Sequence, residues 1–268
     1  MNRPIDLPEF DAPPLAEVVL SIQFDSLQSF QFVHVGSLYD QYCNQFPIIQ
    51  YQPTLLPVFE TFGLGSALTN RLHLQFADRP AIPRLWFVNR ENSELVQFQP
   101  DRLTHNWRKI ETDQSYPRYE TLRQAFLNET NILIAYLSEQ NLGPITPNQC
   151  EVSYVNIIRA APNGVSLKQF SRVDIPSVGP FEDGAITARY QISGNDGAPV
   201  GRIMVQSTPA VDHVGEQVTH LTITGRGPPL APTIEAAFDF LDQCHVSVVR
   251  AFAAVTTDEL QLVWKRRF

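Results

Sequence analysis

Ala16-Glu17-Val18-Val19-Leu20-Ser21-Ile22-Gln23-Phe24 has a near-repeat in Cys150-Glu151-Val152-Ser153-Tyr154-Val155-Asn156-Ile157-Ile158, half of the 268-residue chain further on. In the first copy Val18, Leu20, Ile22 and Phe24 alternate with Glu17, Val19, Ser21 and Gln23. That is the period-two pattern of a strand with one face on a core. Both copies are rich in β-branched and aromatic residues and open on a glutamate, so a duplicated chain is the expectation.

The segments that follow each copy are read with this in mind. Residues 1–14, with Pro4, Pro8, Pro13 and Pro14, form an extended lead-in. After the first strand, Ser29 is placed to cap a helix whose apolar positions are Phe32, Val35, Tyr39, Tyr42 and Phe46, ending at Pro47. Residues 48–69 show no clear period. Four strands are expected at 71–76, 84–88, 95–98 and 102–109, separated by polar or Pro-containing turns. A long helix starts near Pro117, with Tyr119, Leu122, Phe126, Leu133 and Leu137 as its buried stripe, and Gly143-Pro144 stops it.

The second half follows a similar order. After the strand at 151–158 come a short helix at 165–170, an unclear stretch at 171–178, and strands at 185–192, 201–206 and 218–224. Gly225 to Pro232 breaks the chain before a helix with Ile234, Phe238, Leu241, Val248 and Phe252 inward. Thr256-Thr257-Asp258-Glu259 fits a capping box for a last short helix containing Leu260, Val263 and Trp264. The expected fold is α+β: duplicated β-α-β(3-4)-α units with antiparallel sheets, helices packed on one face and a pseudo-two-fold, in an N-terminal half 1–143 and a C-terminal half 144–268.

Composition narrows the function classes. Hydrophobic residues make up 43% and charged residues 18%, which suits a globular chain with a sizeable core. The net charge of −8 is shared by both halves, with no basic block, so nucleic acid is not an expected partner. Cys43, Cys150 and Cys244 are far apart and read as reduced core cysteines of a cytoplasmic protein. No apolar run is long enough to span a membrane.

Further stretches carry a likeness. Pro13-Pro14-Leu15-Ala16-Glu17, Leu103-Thr104-His105-Asn106-Trp107-Arg108, Tyr116-Pro117-Arg118-Tyr119-Glu120, Asn148-Gln149-Cys150-Glu151-Val152 and Thr256-Thr257-Asp258-Glu259-Leu260 with Trp264 extend over nearly the whole chain. With these stretches the chain resembles a sporadically distributed family of bacterial and archaeal proteins of about this length, without assigned function. The resemblance implies a free-standing protein and transfers no catalytic residue. In element order alone the chain is also similar to duplicated folds such as the TATA-binding protein and the bacterial effector-binding domains, an analogy that does not set function.

The candidate site residues come from two places. Alternation in strand 102–109 puts Arg102, Thr104, Asn106 and Arg108 on one face and Leu103, His105 and Trp107 on the other. Two arginines flanking hydrogen-bonding side chains suit a carboxylate, a phosphate or an acidic partner strand. The alternative is a solvated face, or Arg108 paired internally with a glutamate such as Glu120. His105 reads as a satisfied core histidine with no acid placed near it by spacing. Asn156 falls on the face of Val152, Tyr154 and Ile158, where a buried amide needs partners. Glu17 and Glu151 would approach each other under a pseudo-two-fold, but read as strand-opening surface groups.

No nucleophile elbow, phosphate loop or metal-ligand spacing is present. A non-enzymatic interaction protein is expected, of the inhibitor, antitoxin or immunity type, with another protein as partner, a homodimer left open, and no cofactor. The alternative is a small-ligand sensor whose pocket between sheet and helices involves Trp107, Tyr119 and Asn156.

Overall fold

The computed structural model describes residues 4–62, 82–111, 114–159, 184–194, 196–212 and 214–267. The strand pattern of the first repeat is realised in full. After a two-residue strand β1 (Glu9–Phe10), strand β2 (Leu15–Phe24) buries Val18, Leu20 and Ile22 to 1% exposure or less. Helix α1 (His34–Tyr42) follows, then strands β3 (Ile48–Gln52), β4 (Arg84–Val88), β5 (Glu94–Gln99) and β6 (Arg102–Arg108), and helix α2 (Tyr119–Glu139). Strand β7 (Pro147–Arg159) comes next, followed by β8 (Ile186–Ser193), β9 (Pro199–Val211), β10 (Gln217–Gly227), helices α3 (Ile234–Val255) and α4 (Asp258–Val263), and strand β11 (Arg266–Arg267).

Nine strands form one antiparallel sheet in the order β3-β4-β5-β6-β2-β7-β10-β9-β8, and β1 pairs with β11 in a separate ribbon. Strands β2 and β7 are thus neighbours at the middle of the sheet, with Val19 opposite Ser153 and Leu20 opposite Val152. Helices α2 and α3 pack on the apolar face and touch through Phe126 and Phe238, whose ring centroids are 5.5 Å apart. Tyr42 of α1 stacks on Phe87 of β4 at 5.4 Å. The result is a mixed α and β architecture with a large antiparallel sheet and few helices.

Glycine explains how closely α3 approaches the sheet. A Cβ at Gly225 would lie 3.0 Å from Cys244 Cβ, and one at Gly227 would lie 2.6 Å from the Phe240 ring. The expectation of a chain break from Gly225 is therefore corrected. These glycines continue β10 because the helix leaves no space for a side chain.

Other boundaries differ for local reasons. Helix α1 starts at His34 and not after Ser29; the turns Leu27–Phe30 and Gln31–His34 come first, and the Gln31 N–H donates to His34 Nδ1. Phe32, expected to be inward, is exposed. The unread stretch after Pro47 begins as β3, and residues 53–62 continue as an extended segment. Helix α2 starts at Tyr119 because Arg118 has φ 75° and ψ 154°, which no helix admits; its five expected stripe residues are all buried. The Thr257 side chain makes no cap bond to α4, since Thr256 Oγ1 donates back to the Phe252 carbonyl and no capping box forms. Val263 is exposed while Trp264 is buried. Part of the lead-in becomes β1. The strand expected at 71–76 and the elements expected at 165–178 lie outside the described residues.

Candidate functional site

Strand alternation brings Tyr154 and Asn156 of β7 to the helix side of the sheet, beside the start of α2 and the middle of α3. There an open cleft of about 540 Å³, solvent included, is lined by Phe10, Pro13, Leu15, Tyr116, Arg118, Tyr119, Glu120, Tyr154, Asn156, His245, Val249 and Phe252 among others. The walls are mostly apolar with a few polar groups, as those of small-molecule sites are.

The polar groups of the cleft are organised. The Tyr116 and Tyr154 hydroxyls share a 2.8 Å hydrogen bond, and the Tyr154 hydroxyl lies 2.9 Å from His245 Nδ1. The Tyr119 ring stacks on His245 with centroids 3.9 Å apart and planes within 1°. Its hydroxyl donates to Asp242 Oδ1 at 2.8 Å, which also accepts from Arg123 Nε at 2.7 Å. Burial raises the pKa of Tyr154, and Tyr116 adds to the rise; burial and then Asp242 raise that of Tyr119. Both phenols therefore stay protonated. Asn156, nearly fully buried, donates from Nδ2 to the Leu221 carbonyl at 3.1 Å, the strand-tying role its burial demands.

Arg118 is the strained member. Its backbone occupies a region that is essentially reserved for glycine, at a cost of about 1–3 kcal/mol. Its guanidinium donates to the Phe10 carbonyl at 3.1 Å and lies 3.5 Å from Glu9 and 3.9 Å from Asp11. Segment 116–118 is thus fastened to the lead-in strand that forms the other wall of the cleft.

The opposite, polar face of the sheet carries the other expected residues. It is not an open face. Gln23, Gln97, Gln99, Thr104, Asn106, Gln149, Ser153 and Thr224 are all buried. Residues 53–62 run across this face as a strap. Gln99 reads Leu55 twice, its Oε1 accepting from the N–H at 3.0 Å and its Nε2 donating to the carbonyl at 2.8 Å. Gln23 Oε1 accepts from the Val58 N–H at 2.9 Å. Glu60 meets Arg202 Nε at 2.6 Å and Arg226 at 3.5 Å. Arg202 and Arg226 hold Glu60 across 142 and 166 positions, where spacing carries no signal.

Each expected residue has a definite place. Arg102 donates to Gln23 Oε1 at 2.7 Å and to the Leu56 carbonyl at 3.3 Å, and burial lowers its pKa. Thr104 bonds Ser21 at 2.7 Å. Asn106 accepts from Gln97 at 2.6 Å and donates to Glu17 at 2.7 Å. Arg108 pairs with Glu17 at 3.6 Å, directly across the strands, so the pairing with Glu120 is corrected. Trp107 lies behind the cleft, its ring 5.5 Å from Tyr116. Tyr119 and Asn156 do line the cleft. Arg102, Thr104, Asn106 and Arg108 are separated from it by the sheet, because strand side chains alternate.

Two further expectations are corrected. Glu17 lies opposite Val155 and Glu151 opposite Ser21, so the two glutamates are offset by roughly 13 Å along the strands and do not meet. Glu151 pairs instead with Arg226 at 2.5 Å. His105 does have an acid partner: Glu129 of α2 sits 2.9 and 3.0 Å from Nδ1, with both side chains buried. Burial works to lower the His105 pKa, but the Glu129 charge and hydrogen bond outweigh it and hold it above the ordinary value. Among the described residues, no group of His, Cys, Asp and Glu is placed to hold a metal, and no helix is long and apolar enough to cross a membrane. Neither the protein-family models nor the curated proteins match this chain.

Proposed function

We propose that the protein is a non-catalytic small-ligand-binding protein whose site is the helix-side cleft. The observation that carries this reading is the lining itself: an apolar floor crossed by the Tyr116–Tyr154–His245 hydrogen-bond chain, with a strained Arg118 at the wall. Tyr119 is committed to Asp242 and Tyr154 to its two neighbours. Such groups orient a ligand; with raised pKa values they are poorly suited to take or give protons near neutrality. The ligand class that suits these walls has an apolar body and one or two hydrogen-bonding groups.

The test fills the cleft. Val249, on the α3 wall, is replaced by Trp, and wild type and Val249→Trp are dialysed against a small-molecule extract of host cells. Bound species are then identified by mass spectrometry after denaturation. The expected result is a compound retained by the wild type and absent from the variant. Retention of nothing by the wild type, or of the same compound by both, overturns the reading.

A second reading, partner-protein binding, is favoured by the strap. The sheet holds residues 53–62 mainly through backbone groups, while Leu56 and Phe59 point outward with 66% and 56% exposure. Exposed apolar side chains on an ordered extended segment suit contact with another protein. The duplication belongs here too. Its support is the mirrored strand order about β2 and β7, and two cross-strand pairs at corresponding places: Glu17 with Arg108, and Glu151 with Arg226.

A further inference from the structure

The strap contributes almost nothing to the core. Of residues 53–62 only Glu60 and Phe62 are half-buried, and all the others, Leu55, Leu56, Val58 and Phe59 included, are exposed. The face beneath is a row of polar side chains aligned across the strands. Gln99 lies opposite Arg102, Arg102 opposite Gln23, and Gln23 opposite Gln149. Two residues further along, Glu151 lies opposite Arg226 and Arg226 opposite Arg202. The strap is therefore attached by hydrogen bonds and one cluster of charges, with its apolar side chains turned outward. Hydrogen bonds that are exchanged for water on release contribute little net stability. A segment held in this way opens locally without unmaking the core.

The attachment has the form of peptide recognition. Backbone groups are read along an extended segment: both of those of Leu55 by Gln99, the Leu56 carbonyl by Arg102, the Val58 N–H by Gln23, and the Thr61 carbonyl by Arg202 at 2.7 Å. One side chain is read by charge, the Glu60 carboxylate on Arg202 and Arg226. The two arginines differ in what else they hold. Arg226 also pairs with Glu151, 2.6 Å from its Nε, and keeps that partner without the strap. Arg202 has no such reserve. The partners of its guanidinium are the Glu60 carboxylate, the Thr61 carbonyl and the Phe62 ring, all of them in the strap.

Lifting the strap thus strips Arg202 of its partners and leaves the glutamine and arginine donors and acceptors of the row facing outward. A guanidinium beside backbone-reading amides suits another extended chain that brings its own carboxylate. The spacing is set by the strap itself, with the carboxylate at Glu60 and the first backbone contact at Leu55.

We propose that this row is a binding site for an extended acidic segment of a partner protein, and that residues 53–62 occupy it in cis as an autoinhibitory strap. The tether gives the strap a high effective concentration, so a free segment binds only in proportion to the fraction of molecules whose strap is open. The row lies on the other side of the sheet from the helix-side cleft, and the proposal does not depend on a ligand being bound there.

The test uses the full chain and a fluorescein-labelled peptide with the sequence of residues 53–62, followed by fluorescence anisotropy. Glu60→Lys sets a cation against Arg202 and Arg226, which releases the strap and leaves the row intact. This variant is expected to melt close to wild type and to bind the peptide saturably, about tenfold or more tighter than wild type does. The same peptide with Gln in place of its Glu is expected to bind the variant about fivefold or more weakly. Where Glu60→Lys fails to fold, Glu60→Ala is expected to give the same contrasts. The proposal is overturned if the opened variant binds no peptide, if it binds no tighter than wild type, or if the Gln peptide binds as tightly as the Glu peptide. It is overturned as well if neither variant folds, which would make the strap part of the core. Concentration-dependent dimers of the wild type that Glu60→Ala abolishes in sedimentation would also overturn it, by assigning the row to the strap of a second copy.

Discussion

Replacing His105 with Leu leaves Glu129 alone between sheet and helix, and the cost is expected to depend strongly on pH. Both side chains are sealed, at 0% and 3% exposure, so solvent does not screen the loss. An isolated buried carboxylate takes a proton sooner than it keeps its charge. Burial already raises the Glu129 pKa above its ordinary value near 4.5, and removing His105 takes away the group that opposes the rise. Protonating a carboxyl of that ordinary pKa costs about 3.4 kcal/mol at pH 7 and about 0.8 kcal/mol at pH 5. The folded variant binds more protons than the unfolded one over this window, so its stability falls as pH rises.

In the wild type the raised His105 pKa contributes stability that is fully present below the ordinary value near 6.5 and is lost only as pH climbs past it. His105→Leu should therefore lose more stability than the wild type between pH 5 and pH 7, by at most about 2–3 kcal/mol, because the wild type's own raised Glu129 carboxyl takes up part of the same pH dependence. Glu129→Leu should be milder, about 1–3 kcal/mol, because an imidazole sheds its proton cheaply near neutrality and only an unpaired N–H remains. The double variant should recover most of the His105→Leu loss, since a buried pair is often replaceable by apolar side chains. Urea denaturation of all four proteins at both pH values measures this. Equal stability of His105→Leu at pH 5 and pH 7 would refute the reasoning, because Glu129 would then be reaching water.

Two further outcomes follow from packing and backbone geometry. Phe126→Ala, at the contact of α2 with α3, should cost about 3–5 kcal/mol in a denaturant titration, and a loss below about 1 kcal/mol would mean that the α2 face is wrongly assigned. Arg118→Gly and Arg118→Ala both remove the guanidinium, so their difference isolates the backbone. The glycine variant should be the more stable by about 1 kcal/mol, and equal melting behaviour would show that φ 75° carries no strain.

Much of the fold was legible because burial periodicity is local. Val18, Leu20 and Ile22 announce a strand with one buried face, and the stripe from Tyr119 to Leu137 announces α2, without reference to any other segment. The boundaries that failed did so where a distant neighbour intervenes. Gly225 and Gly227 look like loop residues until α3 is seen to press on them. Of the residues lining the cleft, Tyr119 and Asn156 were singled out through their place on a buried face, while Trp107 packs behind it. Arg118, Tyr154 and His245 were missed as members. Tyr154 is a strand tyrosine and His245 a helix histidine, and nothing in their spacing shows that they share a hydrogen bond.

The amino-acid order by itself determined most of the strands and helices and, in β2, β6 and α2, which face is apolar, because a repeat of two or of three to four follows from backbone geometry alone. Only the tertiary structure decided what each buried polar group meets. His105 finds Glu129 on a helix, Tyr119 finds Asp242 across 123 positions, and Glu60 finds Arg202 across 142. Those partners are set by the path of the chain and the register of nine strands, and charge or hydrogen-bonding capacity is distributed along a sequence without a period to reveal it. The strap over the polar face has the same origin. Residues 53–62 have no amphipathic period, and their backbone is held by glutamine and arginine side chains presented by strands that come together only when the sheet closes.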